Sequence, residues 1–236
     1  MPDAADAPSD WAAETESRLL EAALPLVPRL GWTSRLVAAA AKAVGLSAPE
    51  AGLLLPQGPR DLAALFSYRH DEAAIIALAR TDPKTLKVRE RIAMGVEARV
   101  EAAMADETAL RRWVGYLALP QNLAMGARLA WDSADRIWTW AGDTATDENH
   151  YSKRAILAGL LTSTLMVRAA DSPAGARRHL QRGIEAVMNY ERLKARAGAG
   201  DLAARVAGAL GRMRYGGPAT PAAEAAPSAE TPTTAT

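Results

Sequence analysis

The sequence predicts an all-α fold, a bundle of about ten helices that opens with a helix-turn-helix-like unit. Ala, Leu, Arg and Glu dominate the central chain, and alternating β-branched residues are nearly absent. Helix starts are also written out. Asp82 before Pro83, and Ser172 before Pro173, each place an acceptor at an N-cap and a proline at the first helical position, where its missing N–H costs nothing. Ser47 with Glu50 spells a capping box. The helices expected from this pattern lie near 13–30, 33–44, 48–55, 60–81, 83–105, 107–118, 121–142, 148–170, 173–196 and 200–214. Pro25 and Pro28 interrupt or kink the first of them.

A chain of 236 residues that is 49% hydrophobic holds one large helical domain or two small ones around a substantial core. Lys+Arg 28 against Asp+Glu 27 gives no overall attraction to phosphate or to an anionic bilayer. The absence of cysteine removes disulfides and thiolate sites and fits a reducing compartment. The start, "MPDAADAPSD", is acidic and has neither an apolar run nor arginines, so no signal or transit peptide is expected. No run of about 18 uncharged apolar residues stands ready to span a bilayer. The expected location is cytoplasmic, peripheral on the inner face of the membrane. Residues 1–12 and 216–236 carry little large apolar surface and are expected to be disordered. Between them the expected divisions are a helix-turn-helix-like subdomain at 13–58, a main helical domain at 59–196 and an amphipathic helix at 197–215.

The stretch "VGLSAPEAGLLLPQGPRDL", residues 44–62, has the outline of a DNA-reading unit, and the first three helices resemble the N-terminal domain of TetR-type regulators. Reading a major groove needs side chains such as Arg, Lys, Asn or Gln that reach base edges and phosphates. The third helix offers "APEAGLLL", which has none. Across 33–62 the bases Arg35, Lys42 and Arg60 face the acids Glu50 and Asp61. Asp3, Asp6, Asp10, Glu14 and Glu16 all precede the first base, Arg18, and repel a phosphate backbone. The unit is therefore expected to be vestigial, with no nucleic-acid partner. A TetR-type ligand-responsive regulator is the alternative function.

Aromatic residues make up only 5% of the chain, yet Trp113, Tyr116, Trp131, Trp138, Trp140 and Tyr151 lie close together in sequence. Core packing is one explanation, since Trp131 and Trp138 share a helix face at i and i+7. The other is an apolar pocket for a flexible hydrocarbon, lined by these rings and adaptable methionines. Candidate lining residues are Leu110, Trp113, Leu117, Met125, Leu129 and Trp138.

Asp147 and His150 place a carboxylate and an imidazole one turn apart, an arrangement that di-iron bundles use twice. Only one copy exists, because Ser67 and Ala176 precede His70 and His179 at the matching offset. No Gly-rich phosphate loop or Gly-x-Ser-x-Gly elbow is present. No catalytic residue, metal or cofactor is expected, and the chain is expected not to be an enzyme. His70, in "YRHDE", is expected on a solvated helix end.

The segments "LPQN", "ADRIW", "AGD", "TDENHYSKRA" and "LAGLLTSTL" give the chain a specific likeness. It resembles the ubiquinone-biosynthesis accessory family, the ninth of the Coq series, lipid-binding proteins with a TetR-like fold. The resemblance covers roughly 13–215 and is strongest over 117–167. Asn122, Ala134-Asp135, Trp138, Ala141-Gly142-Asp143, Thr146-Asp147, Asn149, Tyr151 and Arg154-Ala155 fall in the family's order and spacing. His150 departs from it, standing where the family usually has Trp.

The resemblance implies a homodimeric, non-catalytic accessory protein. It implies a cavity for an isoprenoid quinone intermediate or a phospholipid, and association with the di-iron demethoxyubiquinone hydroxylase. The family's partner patch maps to Asp147, Asn149, His150, Tyr151 and Arg154. Independently, 147, 150, 151 and 154 form one helical stripe that continues into Ala158, Leu161 and Leu165, so the helix is expected to begin exposed and end buried. Such a mixture of Tyr, Arg and acid has the composition of a protein contact. An N-cap Asp147 followed by an ordinary solvated turn is the competing explanation.

In "DLAARVAGALGRMRY", Leu202, Val206, Leu210 and Met213 recur on one face, with Arg205, Arg212 and Arg214 elsewhere. Gly208 and Gly211 each weaken this helix by about 1 kcal/mol relative to Ala, so it is marginal alone in water and gains order at an interface. Docking on the domain core or on a dimer mate is the other use. The resemblance implies a membrane-contacting final helix. By analogy with the TetR fold, the helices near 148–170 and 173–196 pack against a second copy. In the resulting mechanism the dimer docks on the membrane, admits a polyprenyl quinone precursor and presents its head group to the hydroxylase.

Overall fold

The computed structural model describes the backbone of residues 7–144 and 148–197, and the side chains of 11–144 and 150–189. The fold is all-α. The helices are α1 (Ala7–Ala23), α2 (Val27–Leu30), α3 (Ser34–Ala43), α4 (Ala48–Leu54), α5 (Pro59–Leu78), α6 (Val88–Met104), α7 (Glu107–Leu117), α8 (Leu123–Trp140), α9 (Glu148–Ala170) and α10 (Pro173–Ala197). The chain divides into two units, Met1–Ala186 and Val187–Thr236, and the hydrophobic core lies in the first.

Pro25 and Pro28 do break the first helix. Each lacks an N–H and crowds the preceding turn, so α1 gives way to a 3₁₀ turn at Leu24–Leu26 and then to the single turn of α2. The helix expected from Pro83 starts five residues later, because Asp82 organises a tighter turn. Its Oδ1 accepts from the Lys84 N–H at 2.9 Å and its carbonyl from the Thr85 hydroxyl at 2.7 Å. Glu90 then reaches back to the Lys87 N–H at 2.9 Å, which sets the real start of α6. The expected capping box at Ser47 forms, with the Glu50 carboxylate on the Ser47 N–H at 2.8 Å.

Between α3 and α4 the chain turns by 113°, through Gly45 at φ +80°, a left-handed value that any Cβ would strain. An angle of this size is one that a helix-turn-helix can have. The outward residues of α4 are Ala48, Pro49, Glu50, Gly52 and Leu53. Among the described residues, no single helix is long and apolar enough to cross a membrane.

Helix α5 is the central post, packed against α1, α3, α6 and α8. Its inward face carries Leu62, Ala63, Phe66, Ala74 and Leu78, and also the polar Ser67, His70 and Asp71. His70 is thus not on a solvated end: it is 2% exposed, edge-on to Phe66 at 4.4 Å. Helices α6 and α8 meet closely at Gly95, where Ile137 occupies the space a Cβ would need. With α9 laid across α6 and α8, these contacts frame an internal space bounded by α5, α6, α7, α8 and α9.

Candidate functional site

That space is a cavity of about 300 Å³. Helix α7 supplies Trp113, Val114 and Leu117 to its wall; α8 supplies Leu123, Gly126, Leu129 and Ala130; α9 supplies Leu161, Leu165 and Met166. Helical periodicity explains the α8 wall, since 123, 126, 127, 130 and 133 recur on one face. The cavity runs from a deeply buried end to an exposed one, where Leu123 and Met166 stand 57% and 53% exposed. An apolar ligand therefore has a doorway that is itself apolar.

Three of the six expected lining residues, Trp113, Leu117 and Leu129, stand in this wall. The other three do not. Leu110 lies one turn further back on α7, enclosed in the core. Met125 sits about 140° round α8 from Ala130, at 3.6 residues per turn, and faces a groove with Gln57, Arg60 and Tyr68 instead. Trp138 donates its Nε1–H to the Lys153 carbonyl at 3.1 Å, and its ring lies under the Lys153 ammonium at 5.4 Å. The expectation of a chamber walled by indole rings is corrected accordingly. Among the described aromatic residues only Trp113 lines the cavity, and its Nε1–H is held by the Ala63 carbonyl at 2.8 Å.

The wall also contains residues that sequence reasoning missed. Ser67, Arg99 and Ser133 stand at the buried end. Arg99 Nε donates to Asp71 Oδ1, which also accepts from the Ser133 hydroxyl at 2.6 Å. Arg99 Nη2 reaches the Ser67 carbonyl and hydroxyl at 3.3 and 3.2 Å. The available signal was polar residues falling on the apolar stripe of α5, at 67, 70 and 71.

A second arrangement is built by the end of α8 and the start of α9. Gly142, at φ +81°, ends α8 by letting the Asp143 N–H return to the Trp138 carbonyl at 3.0 Å. The turn delivers the Asp143 carboxylate to Lys153 at 2.7 Å and to Arg154 at 3.1 Å. Burial alone would raise the Asp143 pKa, but hydrogen bonds from Lys153 and Arg154, and their charges, hold it below the ordinary carboxylate value. Arg154 also pairs with Asp135 at 2.5 Å.

Arg154 was expected on an exposed stripe; it is buried, because three acceptors from α8, the Asp143 turn and the His150 carbonyl draw it inward. It positions the patch rather than facing outward. Tyr151, 64% exposed, lies 6.1 Å from the Trp131 ring and 5.2 Å from the His150 ring. Together they make a small aromatic surface. Beyond Arg154, α9 buries Leu161 and Leu165 of the expected stripe, with Leu157 beside them, whereas Ala158 is only half-buried. Asp147, the Asn149 side chain and the four candidates Leu202, Val206, Leu210 and Met213 lie outside the described residues. Among the described residues, no three His, Asp or Glu side chains converge as a metal site.

Residues 123–191 match the family model described as COQ9. The chain is 30% identical over 167 residues to the "Ubiquinone biosynthesis protein COQ9, mitochondrial" of Rattus norvegicus, an alignment covering 67% of this chain and 53% of that protein. The proteins of the same name from Bos taurus and Homo sapiens are 30% and 28% identical over 167 residues, 67% of this chain and 52% of each relative. Over two thirds of its length the chain is similar to COQ9 proteins.

It spans about half the length of the relatives it matches. The COQ9 domain runs from the start of α8 into α10. It contains the α8 and α9 walls of the cavity and the whole Trp131, His150 and Tyr151 surface, whereas Ser67, Arg99 and Trp113 lie ahead of it.

Proposed function

We propose that this chain is a COQ9-family accessory protein of ubiquinone biosynthesis that does no chemistry of its own. It holds an isoprenoid quinone intermediate, or another lipid, in the cavity between α7, α8 and α9 and delivers it to a membrane-associated di-iron hydroxylase. The observation that carries this reading is the cavity, apolar along most of its wall and opening between exposed Leu123 and Met166. A polyprenyl chain cannot diffuse through water, and a protein that shields part of it lowers that cost. The volume, about 300 Å³, is at the small end for a ligand pocket, so a long tail extends beyond the doorway. Its relatives' names supply the pathway.

The hydroxylase is assigned to the Trp131, His150 and Tyr151 surface, with Asp147 and Asn149 beside it in sequence. Membrane contact is assigned to the apolar face of Leu202, Val206, Leu210 and Met213, and the chain acts as a homodimer. The regulator alternative draws on the α3–α4 crossing, but the outward face of α4 carries no base-reading donor.

Organic extraction of the purified chain followed by mass spectrometry tests the reading. Wild type is expected to release isoprenoid or phospholipid. Ala130→Phe puts a ring into the cavity and should release at least about tenfold less, with its helical content kept. Repeatedly clean extracts from wild type overturn the carrier reading. For the partner surface, Tyr151→Ala is expected to weaken hydroxylase binding by about thirtyfold, the loss of one aromatic anchor, measured by surface plasmon resonance. An unchanged affinity removes the surface from consideration.

A further inference from the structure

The buried end of the cavity differs chemically from the rest of it. Ser67, Arg99 and Ser133 are each at most 4% exposed, yet all three contribute to its wall. Their hydrogen bonds are incompletely used. The guanidinium commits Nε to Asp71 and Nη2 to Ser67, while Nη1 has no partner among the described residues. Asp71, just behind the wall, has Oδ2 buried and without a hydrogen bond. A network that only braced the helices would be expected to spend its donors and acceptors internally, because a buried polar group left unpaired is costly. Here the unused donors belong to a cavity-wall residue.

We infer that this buried end is a head-group recess that receives a neutral, hydrogen-bond-accepting oxygen, such as a quinone carbonyl, on Nη1 of Arg99. The hydrocarbon chain then runs past Leu165 toward Leu123 and Met166. The inference rests on the carrier reading and adds to it an orientation: the ring travels inside, and transfer requires it to leave by the doorway.

Charge selects the head group. Asp71 balances Arg99, so the recess offers a directed donor without net positive charge. A carboxylate or phosphate would give up its hydration for a cation already neutralised, and would meet the Asp71 charge behind it. A bare hydrocarbon end would leave the donor unmatched. Size agrees: the cavity is about twice the volume of an engineered cavity that takes up one benzene ring, enough for a ring with a short prenyl arm.

Isothermal titration of the full chain with prenyl-1,4-benzoquinone, prenylbenzene and 4-prenylbenzoic acid tests this. The quinone is expected to bind at least about tenfold more tightly than prenylbenzene, with the acid no tighter than the hydrocarbon. In Arg99→Met/Asp71→Leu, which removes both charges together, the quinone's advantage should vanish while prenylbenzene still binds. The wild-type series decides the matter even if that variant does not fold. Equal binding of quinone and prenylbenzene, tightest binding of the acid, or an advantage that survives in the double variant overturns the recess and leaves the carrier reading standing. If none of the three binds, both fall.

Discussion

Replacing Arg99 alone with methionine is expected to cost about 3–5 kcal/mol of folding stability, the largest effect of any single substitution considered. The reason is what the mutation leaves behind. Asp71 is 2% exposed, and its Oδ1 would keep only the Ser133 hydroxyl, while Oδ2 already lacks a partner. An uncompensated carboxylate would then sit buried on the inward face of α5, against α6. Removing Asp71 at the same time lifts that penalty, so Arg99→Met/Asp71→Leu should recover most or all of the loss. Urea denaturation measures both variants, with the slope expected to stay that of the wild type. If the single and double variants unfold at the same midpoint, the cost belongs to lost packing of the Arg99 stem and not to the orphaned acid. A pair that apolar residues could replace at little cost in stability adds weight to a role in ligand selection.

The local grammar of the helices was legible because it is carried by neighbours in sequence. Ser47 and Glu50, or Ser172 accepting from the Gly175 N–H on its hydroxyl oxygen at 3.2 Å, need no knowledge of the tertiary fold. The start of α6 was misplaced for the same reason. Asp82 and Pro83 satisfy the rules for a helix start, but the turn they form is closed by Thr85, and Glu90 restarts the chain three residues after Lys87.

The site was less legible because it depends on which face of each helix points inward. Trp113, Leu117 and Leu129 could be placed from their neighbours' periodicity, but Met125 and Trp138 could not be separated from them without knowing that Ala130 marks the cavity-facing side of α8. Arg154 carries the same lesson. Its position on the stripe with Tyr151 was visible, but its burial comes from Asp135 and Asp143, eleven and more residues away and brought to it by the Gly142 turn. The Arg99 network joins three helices through residues 67, 71, 99 and 133, a pairing that no spacing within one helix announces.

His70 sets the second large effect, a loss of stability in mild acid. Burial is the main cause that lowers its pKa to about 4, with the nearby Arg99 charge next. Asp106, whose carboxylate lies 3.0 Å from Nε2, pulls the other way, and Arg69 adds a smaller lowering. In the unfolded chain the imidazole takes up its proton near pH 6.5. Between about pH 6.5 and 4 the unfolded state therefore binds more protons than the folded one, and stability falls as the pH falls through that window. At full development the loss is about 3 kcal/mol. Asp143 behaves differently. Its folded pKa is depressed, so its contribution is intact above the ordinary carboxylate range and is lost only in stronger acid. Urea midpoints measured from pH 7 down to pH 4 for wild type and His70→Gln separate the two groups. The variant keeps a donor for Asp106 but cannot titrate, so its stability should stay nearly level where the wild type declines. Parallel curves would assign the decline to other groups and remove His70 as its source.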